Sequence, residues 1–164
     1  MSASPPDRIA TLLPVQDGDW ESFYRILSDR EVASGFFGSF EAVRLNLHSA
    51  VARERDLSCI PGSFTWTLAE CGQPHPLGCI NIRCHRLSYF VARHKWSRGL
   101  ASWAVSEACK RLANLSGEMS ISSLVRCGNF GSVRVLQKNN FRLKETFFSS
   151  GHATLRFEKL VTVE

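Results

Sequence analysis

Leu87-Ser88-Tyr89-Phe90-Val91-Ala92-Arg93-His94-Lys95-Trp96-Ser97-Arg98-Gly99-Leu100-Ala101-Ser102 alternates as a strand, turns through a basic stretch with one glycine, and opens a long helix. A helix start leaves several backbone N–H groups without intrahelical acceptors and carries the positive end of the macrodipole, so a diphosphate is stabilised there. Gly99 lets the backbone come close to a ligand. Arg93, Lys95 and Arg98 put three cations within six residues of the corner, which suits a ligand with several phosphate charges. Taken alone, the same pattern also describes a solvated basic turn.

Downstream, Asn129-Phe130-Gly131-Ser132-Val133-Arg134-Val135-Leu136-Gln137-Lys138-Asn139-Asn140-Phe141 places an Asn after an apolar strand and a short amphipathic helix after the Asn. Together the two segments resemble the GNAT superfamily of acyl-CoA-dependent N-acetyltransferases, and within it the branch of ribosomal-protein N-terminal acetyltransferases. There an R/Q-x-x-G-x-G/A turn holds the CoA pyrophosphate. Trp96-Ser97-Arg98-Gly99-Leu100-Ala101 is similar to it, with Trp96 at the first position and Ser97 where the branch usually has glycine. The second segment resembles the N-x-x-S-x-x-x-L-x-K-x-G-F signature through Asn129, Ser132, Leu136, Lys138 and Phe141. Asn140 stands at the usual glycine, and Asn visits the left-handed region more readily than other side chains. Ser28-Asp29-Arg30-Glu31-Val32-Ala33 resembles the "D-x-E-V-A" of the same branch.

The resemblance implies one α+β domain over residues 1–164, a mostly antiparallel twisted sheet flanked by helices with strands four and five splayed around the arm of CoA. It implies acetyl-CoA as cosubstrate and acetyl transfer to a primary amine, a protein N-terminus or a small-molecule amine, by direct attack in a ternary complex. On the same basis Tyr89, Phe90 and Val91 pair with the pantetheine amides, Asn129 holds the arm from the other side, and Trp96, Ser97, Arg98, Gly99, Leu100, Ala101 and Ser102 form the phosphate turn. Ser132 and Lys138 complete the implied cofactor set. Read from the residues alone, Asn129 is also an Asx turn ending a strand.

Acylating an amine requires loss of an ammonium proton, stabilisation of an oxyanion and protonation of a departing thiolate. Many members of the superfamily have a Tyr seven residues after the Asn as acid and a Glu five before it as base; this chain has Leu136 and Leu124. In the ribosomal-protein branch the Ser of N-x-x-S is the acid, which makes Ser132 the catalytic candidate; its other reading is a cap for the helix over 131–139. Tyr89 is a second candidate, a hydrogen-bond partner for substrate or a core aromatic. A backbone N–H near Val91 serves the oxyanion. Glu70, His85 and His152 are the candidate bases, each also readable as a solvated residue. Phe36, Phe37 and Phe40 line the acceptor mouth or lie under a loop as core.

The bulk properties agree. A chain of 164 residues fits one domain that buries about two-thirds of its unfolded surface. Twenty Lys and Arg against 15 acidic residues give a net charge of +5, which suits an anionic cofactor. No long basic run interleaves with aromatics, which argues against nucleic acid as partner. Six cysteines, at 59, 71, 79, 84, 109 and 127, show no C-x-x-C pairing and no metal-ligand spacing with histidine, and read as buried thiols, with Cys79, Cys109 and Cys127 in apolar stretches. No metal is implied. Met1 to Pro6 lack the layout of a signal peptide and no stretch approaches a membrane span, so the expected location is the cytoplasm. The expected partners are the amine acceptor and a second copy in a homodimer. The missing Glu and Tyr motivate one alternative, a catalytically degenerate CoA-binding sensor or interaction module.

Periodicity and breakers predict strands over 8–15, 64–70, 77–83, 87–91, 121–125, 143–148 and 154–160. Helices are predicted after the Asp17-Gly18-Asp19 cap, over 41–55, over 98–115 and over 131–139, and Gly35 with Gly38 predict a loop.

Overall fold

The computed structural model describes residues 10–163. Seven strands, β1 (Ala10–Pro14), β2 (Phe64–Glu70), β3 (Gly78–Arg83), β4 (Arg86–Val91), β5 (Met119–Arg126), β6 (Arg142–Ser149) and β7 (His152–Val161), form one sheet ordered β1-β2-β3-β4-β5-β7-β6. The helices are α1 (Asp19–Leu27), α2 (Arg30–Phe37), α3 (Phe40–Val43), α4 (Leu47–Ser58), α5 (Leu100–Ser116) and α6 (Phe130–Lys138). Every strand pair is antiparallel except β4 with β5. That parallel pair is bridged only at Arg86 and Ser122, and beyond it the strands diverge as the resemblance implies.

Alternation along the strands sorts the side chains between two cores. Leu87 and Val91 of β4 and Ile121 and Val125 of β5 pack with Val105, Ala108 and Leu112 of α5 and Leu136 of α6. Phe90 and Cys79 face the other way, into Phe23 and Leu27 of α1, Val32 of α2 and Val51 of α4. Phe23 meets Phe90 edge to face at 5.5 Å between ring centroids. Gly78, opposite Val91, has no room for a side chain, because a Cβ there would lie 2.2 Å from the Phe90 carbonyl oxygen. The hairpin between β6 and β7 turns on Ser150 and Gly151, both at positive φ (51° and 78°), as a tight two-residue turn requires.

Several expectations need correction. The stretch holding Gly35 and Gly38 is not a loop: the Asp29 side chain accepts the N–H groups of Glu31 and Val32, starting α2, and Gly38 at φ 82° ends it. The helix expected over 41–55 is two, α3 and α4, interrupted at Leu45 and Asn46. Asp19 does not cap α1 but accepts the Gln16 N–H and the Thr67 hydroxyl. Of the six thiols only Cys79 and Cys109 are buried; Cys127 lies in the exposed turn leaving β5. The first strand begins at Ala10 among the described residues, and the expected start at residues 8 and 9 lies outside them.

Candidate active site

The geometry of the gap follows from register. The Ala92 N–H donates to the Leu77 carbonyl at 2.7 Å, so residues 88, 90 and 92 turn their backbone groups to β3 and residues 87, 89 and 91 turn theirs to β5. The Leu87 carbonyl is met by the Ser123 hydroxyl at 3.1 Å. Past that point β5 has moved away, and the N–H and C=O groups of Tyr89 and Val91 look into the gap. One of them is already occupied: the Trp96 indole N–H donates to the Val91 carbonyl at 2.8 Å, tying the basic turn to the end of β4.

The turn holds two left-handed residues, Ser97 at φ 62° and Gly99 at φ 74°. Gly99 precedes α5, whose first intrahelical bond runs from the Trp103 N–H to the Gly99 carbonyl, and no side chain caps it. The N–H groups of Leu100, Ala101 and Ser102 are therefore open donors at a helix start. The three cations of the corner part company. Arg93 bonds Glu31 at 2.6 Å and approaches Asp29 at 3.6 Å, so the acidic residues of the "D-x-E-V-A" stretch anchor the turn to α2. Lys95 is buried against Glu70 at 2.8 Å. Arg98 alone of the three has no carboxylate partner among the described residues. These features fit a pantetheine diphosphate: open amides along a strand, open N–H groups at a helix start, and one unpaired guanidinium.

On the far side of the gap, the Asn129 side-chain carbonyl accepts the Ser132 N–H at 3.2 Å and caps α6. The Asx-turn reading of Asn129 is realised, and its amide nitrogen remains, lying against Gly35 of α2. Ser132 is not the cap; it sits in the first turn of α6 facing β4. The Tyr89 hydroxyl is buried there without a hydrogen-bond partner. Burial pushes its pKa up to about 12, while the Ser132 hydroxyl, placed to donate towards it without completing a bond, pulls the other way. Leu136, at the position of the superfamily's acid, is fully buried core. Asn139, missed by sequence reasoning, donates from its amide to the Ser102 carbonyl at 3.0 Å and locks the end of α6 to the start of α5.

Residues 10–142 match the family described as acetyltransferase (GNAT) domain. This chain is a GNAT acetyltransferase. The fold is that of solved members: a GNAT-family acetyltransferase from Bordetella pertussis, described as putative, is similar at 18% identity and a TM-score of 0.75, covering 93% of this chain and 96% of that one. Spermidine N-acetyltransferase from Vibrio cholerae, solved with CoA and spermine, is similar at 15% identity and TM-score 0.73, with 93% and 95% covered. A ribosomal α-N-protein acetyltransferase solved with coenzyme A is similar at 12% and 0.76, with 98% of each chain covered. Among curated proteins none matches the sequence. Among the described residues no helix is long and apolar enough to cross a membrane.

None of the candidate bases of this GNAT chain stands free at the gap. Glu70 is not solvated but paired with Lys95. His85 lies at the closed end of the splay, its Nδ1 3.3 Å from the Ser120 carbonyl. His152 uses Nδ1 to accept from Arg126 at 2.7 Å, which leaves the ring proton on Nε2. Arg126, which sequence reasoning missed, also donates to the Gly38 carbonyl at 2.7 Å and so fixes the end of α2 beside β5. Phe36 and Phe37 pack against the smaller core, Phe36 edge to face with Phe90 at 5.0 Å. Leu124, where other members have Glu, lines a cavity of about 450 Å³ on the face away from α5, with Ser122, Phe147, and an Arg156 held by Glu145 and Glu158.

Proposed function

We propose that this acetyltransferase acetylates a primary amine, of a protein N-terminus or a small molecule, by direct attack in a ternary complex. The observation that carries the reading is the unpaired edge of β4 at Tyr89 and Val91, open to a gap bounded by the bare start of α5 and by Ser132. Acetyl-CoA, when bound, supplies an activated thioester carbonyl. The Arg98 guanidinium and the N–H groups of Leu100, Ala101 and Ser102 take the diphosphate, with Trp96, Ser97 and Gly99 shaping the turn and Lys138 adding charge at the end of α6. Tyr89 and Val91 give the strand edge; Phe90, expected to share it, turns its backbone to β3 and its ring into the smaller core. The Asn129 amide lies across the gap.

Holding amine and carbonyl together supplies much of the rate. The Val91 N–H is aimed to stabilise negative charge on the carbonyl oxygen. Ser132 gives its hydroxyl proton to the departing sulfur as the C–S bond breaks, and regains one from the attacking nitrogen, which sheds its second proton as the C–N bond forms. Tyr89 stays protonated at neutral pH beside Ser132. The first ammonium proton leaves to water, since Glu70 and His152 are paired and His85 lies at the closed end of the splay.

The solved neighbours carry names that include spermidine, aminoglycoside and ribosomal-protein acetyltransferases, so the acceptor panel contains polyamines, aminoglycosides and peptides with free N-termini. The purified protein with acetyl-CoA is expected to release free thiol with at least one class. Stabilisation by CoA with no thiol release from any class would favour the alternative that Leu124 and Leu136 motivate, a CoA-binding module without catalysis.

A further inference from the structure

The described basic residues of this chain divide into those that bond carboxylates and those that do not. Nine of them, Arg25, Arg30, Arg44, Arg55, Arg83, Arg93, Lys95, Arg111 and Arg156, bond carboxylates. Five others, Lys110, Lys138, Arg142, Lys144 and Lys159, have no carboxylate partner among the described residues and line one groove of about 1240 Å³. The groove runs beside α5 from Ser102 to Asn114, about 18 Å at 1.5 Å per residue. Its other wall is the end of α6 and the adjoining parts of β6 and β7. Its one acidic lining residue, Glu158, is bonded to Arg156. The Ser102–Lys138 end belongs to the proposed cofactor site; Lys110, Arg142, Lys144 and Lys159 lie along the rest and remain outside it.

Five uncompensated cations in one concavity repel one another, and a polyanion relieves that repulsion. We propose that this groove binds the phosphodiester backbone of a single RNA strand, outside the acetyl-transfer site. Its neutral polar lining includes Ser106, Asn114, Ser120, Asn140 and Thr162, groups able to donate to phosphate oxygens, while the Asn139 amide is taken by Ser102 and Val135. No aromatic ring lines it, so bases have no stacking platform and binding is independent of sequence. A concave groove admits a strand, whereas a duplex calls for a protruding element. The composition as a whole conceals this site, because a net charge of +5 is small and the groove cations are scattered over the chain between 110 and 159.

The test is fluorescence anisotropy of a short labelled poly(U) strand with the full chain in saturating acetyl-CoA, over a range of salt. Expected are saturable binding and an affinity that falls with salt, with a logarithmic slope of about −3 from the four cations outside the cofactor site at about 0.7 each. Lys110→Glu with Lys144→Glu is expected to weaken binding at least 10-fold and make the slope shallower by about 1.4, with the thermal shift given by acetyl-CoA unchanged. Should that variant fail to fold, Lys110→Gln with Lys144→Gln is read the same way. The proposal is overturned if poly(U) does not bind at low salt, if the substitutions leave binding intact, or if saturating acetyl-CoA prevents it, which would assign the groove to the cofactor. Binding of poly-glutamate in preference to poly(U) would assign it to an acidic protein segment instead.

Discussion

The Asn129 side-chain carbonyl accepts the Ser132 backbone N–H at 3.2 Å, and this single contact separates two roles that share one helix turn. Asn129 satisfies the start of α6, so the Ser132 hydroxyl is not needed as a cap and is available on the side facing Tyr89. Ser132→Ala is therefore expected to leave stability within about 0.5 kcal/mol of the parent. It is expected to lower kcat about 10–100-fold with CoA affinity kept. Chemical denaturation and steady-state kinetics check the two halves separately. Ser132→Asp retaining full activity would exclude proton donation by this residue, since an ionised carboxylate cannot donate.

The phenol of Tyr89 gives a stability signature. Its pKa is raised from the ordinary value of about 10 to about 12 by burial. The folded state therefore holds this proton more tightly than the unfolded state. The contribution is fully present below the unfolded value and is lost as pH rises from about 10 towards 12. Denaturation midpoints are expected to fall over that interval in the parent and to fall less in Tyr89→Phe.

Lys95 and Arg98 stand three residues apart in one basic turn and are expected to fail differently. Lys95→Met breaks a buried pair with Glu70 and is expected to cost about 3–5 kcal/mol, much of it recovered by Lys95→Met with Glu70→Leu. Arg98→Ala is expected to leave the melting temperature of the free protein unchanged and to weaken CoA binding. Calorimetry on the four proteins, each with and without CoA, distinguishes the outcomes.

Much of this was legible in the sequence because it depends on local chemistry. The alternation of Leu87 to Val91, the Asn after β5 and the left-handed Asn140, observed at φ 64°, are properties of short segments. What escaped depends on distant partners. Nothing near Lys95 announces Glu70, 25 residues earlier, and nothing near Arg126 announces the Gly38 carbonyl, 88 residues away. Gly35 misled because a glycine inside a helix resembles a break until the Asp29 cap is recognised. The groove cations were invisible for a related reason: a sequence counts charges but does not show which of them are paired.

Ser97 offers a test of the turn itself. It occupies the left-handed region at φ 62°, where a side chain costs about 1–2 kcal/mol and glycine does not. Glycine's greater freedom in the unfolded chain offsets part of that gain. Ser97→Gly is expected to raise the melting temperature by about 1–4 °C, measured without ligand, and to retain CoA binding. A drop in melting temperature would mean that the Ser97 side chain holds the turn by a contact of its own.

The most direct measurement is the melting temperature of the parent protein against acetyl-CoA concentration, since every catalytic role rests on the gap between β4 and β5 holding that molecule. A ligand at a hundredfold excess over its Kd adds about 2.7 kcal/mol, which for a domain of this size is a rise of about 5–10 °C. Arg98→Glu is expected to weaken that response strongly, because it replaces the unpaired guanidinium at the bare start of α5 with a carboxylate. No rise at millimolar acetyl-CoA, or an undiminished rise in Arg98→Glu, would contradict the assignment of the gap and its turn to the cofactor.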